Sequence, residues 1–75
     1  MKSDKILDAT GLSCPMPIII AKKAIDDLLS GEVLEIHVTD KGAKSDIPAW
    51  AKAGGHELLS ENEAGNVLKF WIRKA

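Results

Sequence analysis

One side chain in this sequence is equipped for nucleophilic chemistry near neutral pH. Cys14, the only cysteine among 75 residues, stands in Cys14-Pro15-Met16-Pro17. It falls where a strand-like run ends and an apolar helix-like run begins. A thiol at a helix start feels the positive end of the helix dipole, which favours the thiolate, its reactive form. With no second cysteine, internal disulfide and C-x-x-C oxidoreductase chemistry are excluded. A single thiol can carry a group, attack an electrophile or sense an oxidant. Free cysteine is also a common core filler. Against that, the preceding Thr10-Gly11-Leu12-Ser13 reads as a loop, and loops run over surfaces.

Pro15 and Pro17 have no N–H, so they remove donors from the first helical turn that could bind a sulfur anion. The motif therefore reads as built for rigid presentation of the sulfur more than for maximal anion binding, since too stable a thiolate is a poorer nucleophile. Leu12, Met16 and Ile19 surround the cysteine in sequence and would make a small apolar docking patch. Asp40, Lys41 and Lys44, in the loop after the second strand, are further candidates for partner docking. The two histidines, His37 and His56, lie on strand patterns away from the motif, and no metal site is expected from them.

Composition narrows the function classes. Hydrophobic residues make up 45% and charged residues 28%, with a formal net charge of −1, which suits a globular domain. Nucleic-acid binding of the kind a basic domain shows is not expected. The longest apolar run, around Ile18-Ile19-Ile20-Ala21, is cut by Lys22-Lys23 and is too short to span a bilayer. The N-terminus Met-Lys-Ser-Asp-Lys does not read as a signal peptide. A free thiol without export signals points to the reducing cytoplasm. The whole chain, 1–75, reads as one domain without repeats or linkers.

The elements that must position the sulfur follow from patterning. Ile6–Ala9 reads as a strand ending at Thr10-Gly11. Pro15–Ser30 reads as a helix stopped by Gly31, with Ile18, Ala21, Ala24, Ile25, Leu28 and Leu29 on one face and Ile19 among the charges. Val33–Thr39 alternates, with Leu34, Ile36 and Val38 on one side. After a loop over Asp40–Lys44, Ser45 or Asp46 can cap a second helix, with Pro48 in its first turn and Gly54-Gly55 at its end. His56–Glu61 and Val67–Arg73 read as strands joined by Asn62–Asn66. Trp71 reads as an exposed-face residue shielded by the stems of Lys69 and Arg73. The order βαβαββ predicts an α/β (α+β) two-layer sandwich, with two helices packed on one face of a four-stranded mixed sheet. A right-handed first crossover makes the first two strands parallel, so the loops that follow them share one rim.

The string Asp8-x-x-Gly11-Leu12-x-Cys14-Pro15-x-Pro17 resembles the signature of the TusA/SirA-like sulfur-carrier family. The resemblance extends through Gly31-Glu32, Val38-Thr39-Asp40, Asp46-Ile47, Gly55-His56-Glu57-Leu58-Leu59 and the closing strand with Phe70. Lys41 departs from it, standing where many relatives have proline. The resemblance implies a cytoplasmic carrier that accepts sulfane sulfur as a persulfide on Cys14 and passes it to a partner protein. It implies relays such as tRNA 2-thiouridine formation, oxidative sulfur metabolism or molybdenum-cofactor supply. Expected partners are a cysteine desulfurase, a rhodanese or a DsrE-like protein. No cofactor is expected beyond the covalent sulfur, and the protein alone is expected to be a monomer. A regulatory module with a redox-sensing cysteine is the alternative, although a resolving cysteine is absent.

Overall fold

Alternating apolar residues in two central strands, and two short amphipathic helices, leave one economical arrangement, and the computed structural model has it. It describes residues 2–75. The elements are β1 (Lys5–Ala9), α1 (Met16–Asp26), β2 (Val33–Val38), α2 (Ala43–Ala53), β3 (Glu57–Ala64) and β4 (Val67–Arg73). The sheet order is β1-β2-β4-β3, with β1 parallel to β2 and the other two pairings antiparallel. Two helices with a four-stranded mixed sheet make an α+β fold.

Every second residue of the central strands faces the helices. Leu34, Ile36 and Val38 of β2 and Leu68, Phe70 and Ile72 of β4 pair directly across the strands and are buried. Ala21, Ala24 and Ile25 of α1 and Ala43, Ile47 and Ala51 of α2 close the same cluster. Burying each large side chain contributes roughly 1.5–3 kcal/mol. The opposite sheet face is polar and carries a network of its own. Glu35 Oε1 accepts bonds from Ser3 Oγ and Trp71 Nε1, each at 3.0 Å, while Oε2 meets His37. These donors, His37 foremost, hold the Glu35 carboxyl below its ordinary range. Trp71 is thus fixed by a cross-strand hydrogen bond, its register partner being Glu35, and not only by lysine and arginine stems.

Three boundaries differ from the sequence reading by three or more residues, each for a local reason. The first helix stops at Asp26, four residues early. Asp27 and Leu28 turn back with tight bonds to the carbonyls of Ala24 and Ile25, and Lys74 Nζ donates to the Leu28 carbonyl at 2.6 Å. Leu29 consequently leaves the buried face and is 74% exposed. The second helix starts earlier than expected. Gly42 takes the cap position, so neither Ser45 nor Asp46 caps it and Pro48 lies inside the helix. Bonds from Ala43, Lys44 and Ser45 to the carbonyls three residues back wind this first turn tightly. The last hairpin is tighter than expected: β3 continues to Ala64, which pairs with Val67 across Gly65-Asn66. Gly65 has φ +62°, a positive value of the kind two-residue hairpin turns require.

Register places the functional rim. Ala9 pairs with Val38, Val38 with Leu68 and Leu68 with Glu63. The β1–α1 loop, the β2–α2 loop and the β3–β4 hairpin therefore meet at one edge of the sheet.

Candidate functional site

The β1–α1 loop is shaped before it reaches the cysteine. Asp8 Oδ1 accepts from the Thr10 backbone N–H at 3.0 Å and from its hydroxyl at 2.6 Å, closing an Asx turn. Those bonds, the hydroxyl's first, lower the Asp8 carboxyl from its ordinary value. Gly11 follows with φ +81°, a conformation that strains any residue with a Cβ. Its N–H donates to Thr39 Oγ1 at 2.8 Å. Asp8 and Gly11 thus shape the loop and are not groups that face the sulfur.

Cys14 comes next and is exposed. Its backbone N–H donates to Asp40 Oδ2 at 2.9 Å, across 26 residues of sequence. Asp40 Oδ1 takes the Gly42 N–H at 3.1 Å. One carboxylate thus ties the cysteine loop to the loop that starts α2. Sequence reading placed Asp40 in a docking patch. Its geometry makes it the tether between the two loops, and Thr39, which that reading passed over, is the second tether.

The prolines divide their labour. Pro15 occupies the cap position of α1 and is exposed, and the Cys14–Pro15 peptide is cis. Pro17 lies in the first turn and is fully buried. The helix begins at Met16, one residue later than expected, with no side-chain cap and no acidic residue in its first turn. Pro17 therefore anchors the helix start in the core while Pro15 carries the chain out to the sulfur.

Cys14, Pro17 and Ile18 form one wall of a shallow notch, and Asp40, Ala43 and Asp46 form the other. Partial removal from water in this notch, then hydrogen bonding to the Asp46 carboxylate, then the charges of Asp46 and Asp40, push the Cys14 thiol above its ordinary value. The sequence-based expectation of a thiolate favoured by the helix start is therefore reversed. The sulfur precedes the helix by two residues, and the two charged residues that line its notch are both carboxylates. Asp46 was read only as a helix cap. No local pattern marks its role, because it faces the sulfur through the packing of α2 beside α1.

The remaining candidates separate. Met16 and Ile19 are each 43% exposed, one turn apart on α1, and form an apolar patch beside the cysteine. Leu12 does not join it, being half-buried against the core. Lys44 reaches away to Glu63 of β3 at 3.4 Å, and Lys41 is exposed in its loop with no ion pair among the described residues. His56 Nδ1 accepts the Ala75 N–H at 3.0 Å and its ring packs 5.8 Å from Trp50. His37 belongs to the Glu35 network. Among the described residues, no three His, Cys, Asp or Glu side chains gather to hold a metal ion, and no helix is long and apolar enough to cross a membrane.

The fold and most of the sequence of this chain are similar to those of known proteins. Residues 5–74 match the family model described as Sulfurtransferase TusA. The chain belongs to this family. It is 62% identical over 74 residues to YrkI of Bacillus subtilis (strain 168), covering 99% of both chains. It is 44% identical over 72 residues to the sulfur carrier protein TusA of Allochromatium vinosum, covering 96% of this chain and 95% of that one. A crystal structure of a SirA-like protein from Desulfitobacterium hafniense superposes with a TM-score of 0.81 at 27% identity. That match covers 92% of this chain and 95% of the other.

Proposed function

We propose that this protein is a sulfur carrier that holds sulfane sulfur as a persulfide on Cys14 and hands it to a partner protein. The observation that carries the reading is the state of Cys14: a lone, exposed thiol whose backbone is tethered by Asp40 at a rim open to partners. Membership of a family that includes a protein named as a sulfur carrier supports it.

In loading, the Cys14 thiolate attacks the terminal sulfur of a donor persulfide. A new S–S bond forms on Cys14, the donor's S–S bond breaks, and the donor leaves as a thiolate. In unloading, an acceptor thiolate attacks the outer sulfur and Cys14 leaves. Neither step needs a resident metal or cofactor. Deprotonation of Cys14 is the step this site does not favour by itself, because partial removal from water and then Asp46 and Asp40 oppose the anion. Pro15 and Met16, which follow Cys14, are both exposed, so a partner can approach the sulfur from their side. The patch of Met16 and Ile19 supplies apolar contact for the partner. Cysteine desulfurases, rhodaneses and DsrE-like proteins are partners of the fitting chemistry. Thiolation of tRNA and oxidative sulfur metabolism are relays it would serve, in the reducing cytoplasm where a free thiol persists.

Incubation with a cysteine desulfurase and sulfur-labelled cysteine tests the reading. The wild-type chain is expected to take up label that dithiothreitol releases. Cys14→Ser is expected to take up none while keeping its denaturant midpoint, because an exposed side chain contributes little burial. Label on the Cys14→Ser chain would refute the assignment, and a collapsed midpoint would make Cys14 a core residue.

A further inference from the structure

The notch beside Cys14 is lopsided in charge. The β2–α2 loop contributes Asp40 and α2 contributes Asp46. The lining residues of α1, Pro17 and Ile18, are uncharged, and its first basic side chain, Lys22, comes a full turn after Ile18. Lys44, the cation on the first turn of α2, is turned to Glu63. Asp40 is occupied by two backbone N–H groups. Asp46 accepts no backbone N–H among the described residues, and it lines the same notch as the thiol.

We propose that Asp46 is a positioning and specificity residue of the Cys14 site: with Asp40 it makes the notch anionic, so that Cys14 reacts preferentially with sulfur donors carrying a cation beside the reacting sulfur. The proposal rests on the sulfur-carrier reading and adds to it the chemistry of the donor surface, a guanidinium or ammonium near the donor sulfur. Such a cation, placed against the mouth of the notch, offsets the two carboxylates and lets the thiol ionise, so the thiolate forms where a donor is present. Without a donor the thiol stays protonated, which shields a lone exposed cysteine from adventitious oxidation. A cation held beside both carboxylates at the protein surface gains more than it would in bulk water, and added salt weakens the gain.

Small disulfides test this without a protein partner. Cys14 attacks one sulfur of the disulfide. Its proton goes to solvent, a mixed disulfide forms as Cys14 is oxidised, and the other half leaves, reduced, as a thiolate. The probes are cystamine, which is cationic, and dithiodiglycolate, which is anionic, each scaled to neutral hydroxyethyl disulfide and to free cysteine for intrinsic reactivity. Wild type is expected to favour cystamine by roughly tenfold after scaling, with the preference fading in high salt. Asp46→Asn is expected to cut that preference about threefold or more and to shift the pH midpoint of Cys14 alkylation downward, while Asp46→Glu restores both. A preference and a midpoint unchanged in Asp46→Asn would overturn the proposal. The carrier reading is judged separately, by whether Cys14 takes up reducible sulfur from polysulfide. Loading with an unchanged preference defeats only the proposal, and an altered preference without loading defeats only the carrier reading.

Discussion

Replacing Asp40 with alanine is expected to slow sulfur transfer through Cys14 by roughly a hundredfold, the loss that a displacement of about 1 Å brings to a positioned reaction. The substitution frees two backbone N–H groups at once, on Cys14 and on Gly42. It leaves the Gly11–Thr39 bond as the remaining polar tie between the two loops. Both freed donors can turn to water, so the stability cost is smaller, on the order of 1–2 kcal/mol. Removing the carboxylate also removes one of the charges that oppose the thiolate. The pH midpoint of alkylation should therefore fall in the same variant whose transfer slows. A protein whose sulfur was limited only by ionisation would become faster. Single-turnover transfer from a persulfidated donor, measured beside pH-dependent alkylation, separates the two. A variant with a lower midpoint and faster transfer would show that the tether does not matter.

The second large effect concerns the core. Phe70 is the largest fully buried side chain and pairs with Ile36 at the centre of the sheet. Phe70→Ala should cost about 3–5 kcal/mol, from lost burial and the cavity left behind. A domain of this size has about 4–11 kcal/mol in total, at 0.05–0.15 kcal/mol per residue. Much of the population would therefore unfold at modest denaturant. Urea titration followed by tryptophan fluorescence measures it, since Trp50 and Trp71 flank the two faces of the sheet. A shift below about 1 kcal/mol would mean that the core closes over the gap, against the usual stiffness of packed interiors.

These two residues also mark what could be read from the chain alone. Phe70 was legible. Leu68, Phe70 and Ile72 alternate with Lys69, Trp71 and Arg73, and that period of two fixes both the strand and its buried face. The exposure of Cys14 was legible in the loop residues that precede it. The role of Asp40 was not, because its bond to Cys14 depends on the parallel register of β1 and β2, which brings together loops 26 residues apart. Asp46 misled for a different reason. An acid ahead of an apolar run is a reasonable helix cap, but Gly42 starts the helix four residues earlier and turns Asp46 toward the sulfur instead. The Glu35–Trp71 bond likewise follows from cross-strand register. Lys44 was read by proximity in sequence to the rim, and it is the reach of its stem to Glu63 that takes its charge elsewhere. The helix-dipole argument at Cys14 was sound as a generality and lost to partial desolvation first, and then to the nearby carboxylates of Asp46 and Asp40.

The central claim is that Cys14 alone carries the sulfur, and intact mass spectrometry after incubation with polysulfide tests it most directly. The account predicts a single adduct heavier by about 32 Da, one sulfur atom, mapped to the peptide containing Cys14 and removed by reductant. A reducible adduct that persists in Cys14→Ala, or a wild-type chain that takes up no sulfur, would contradict it.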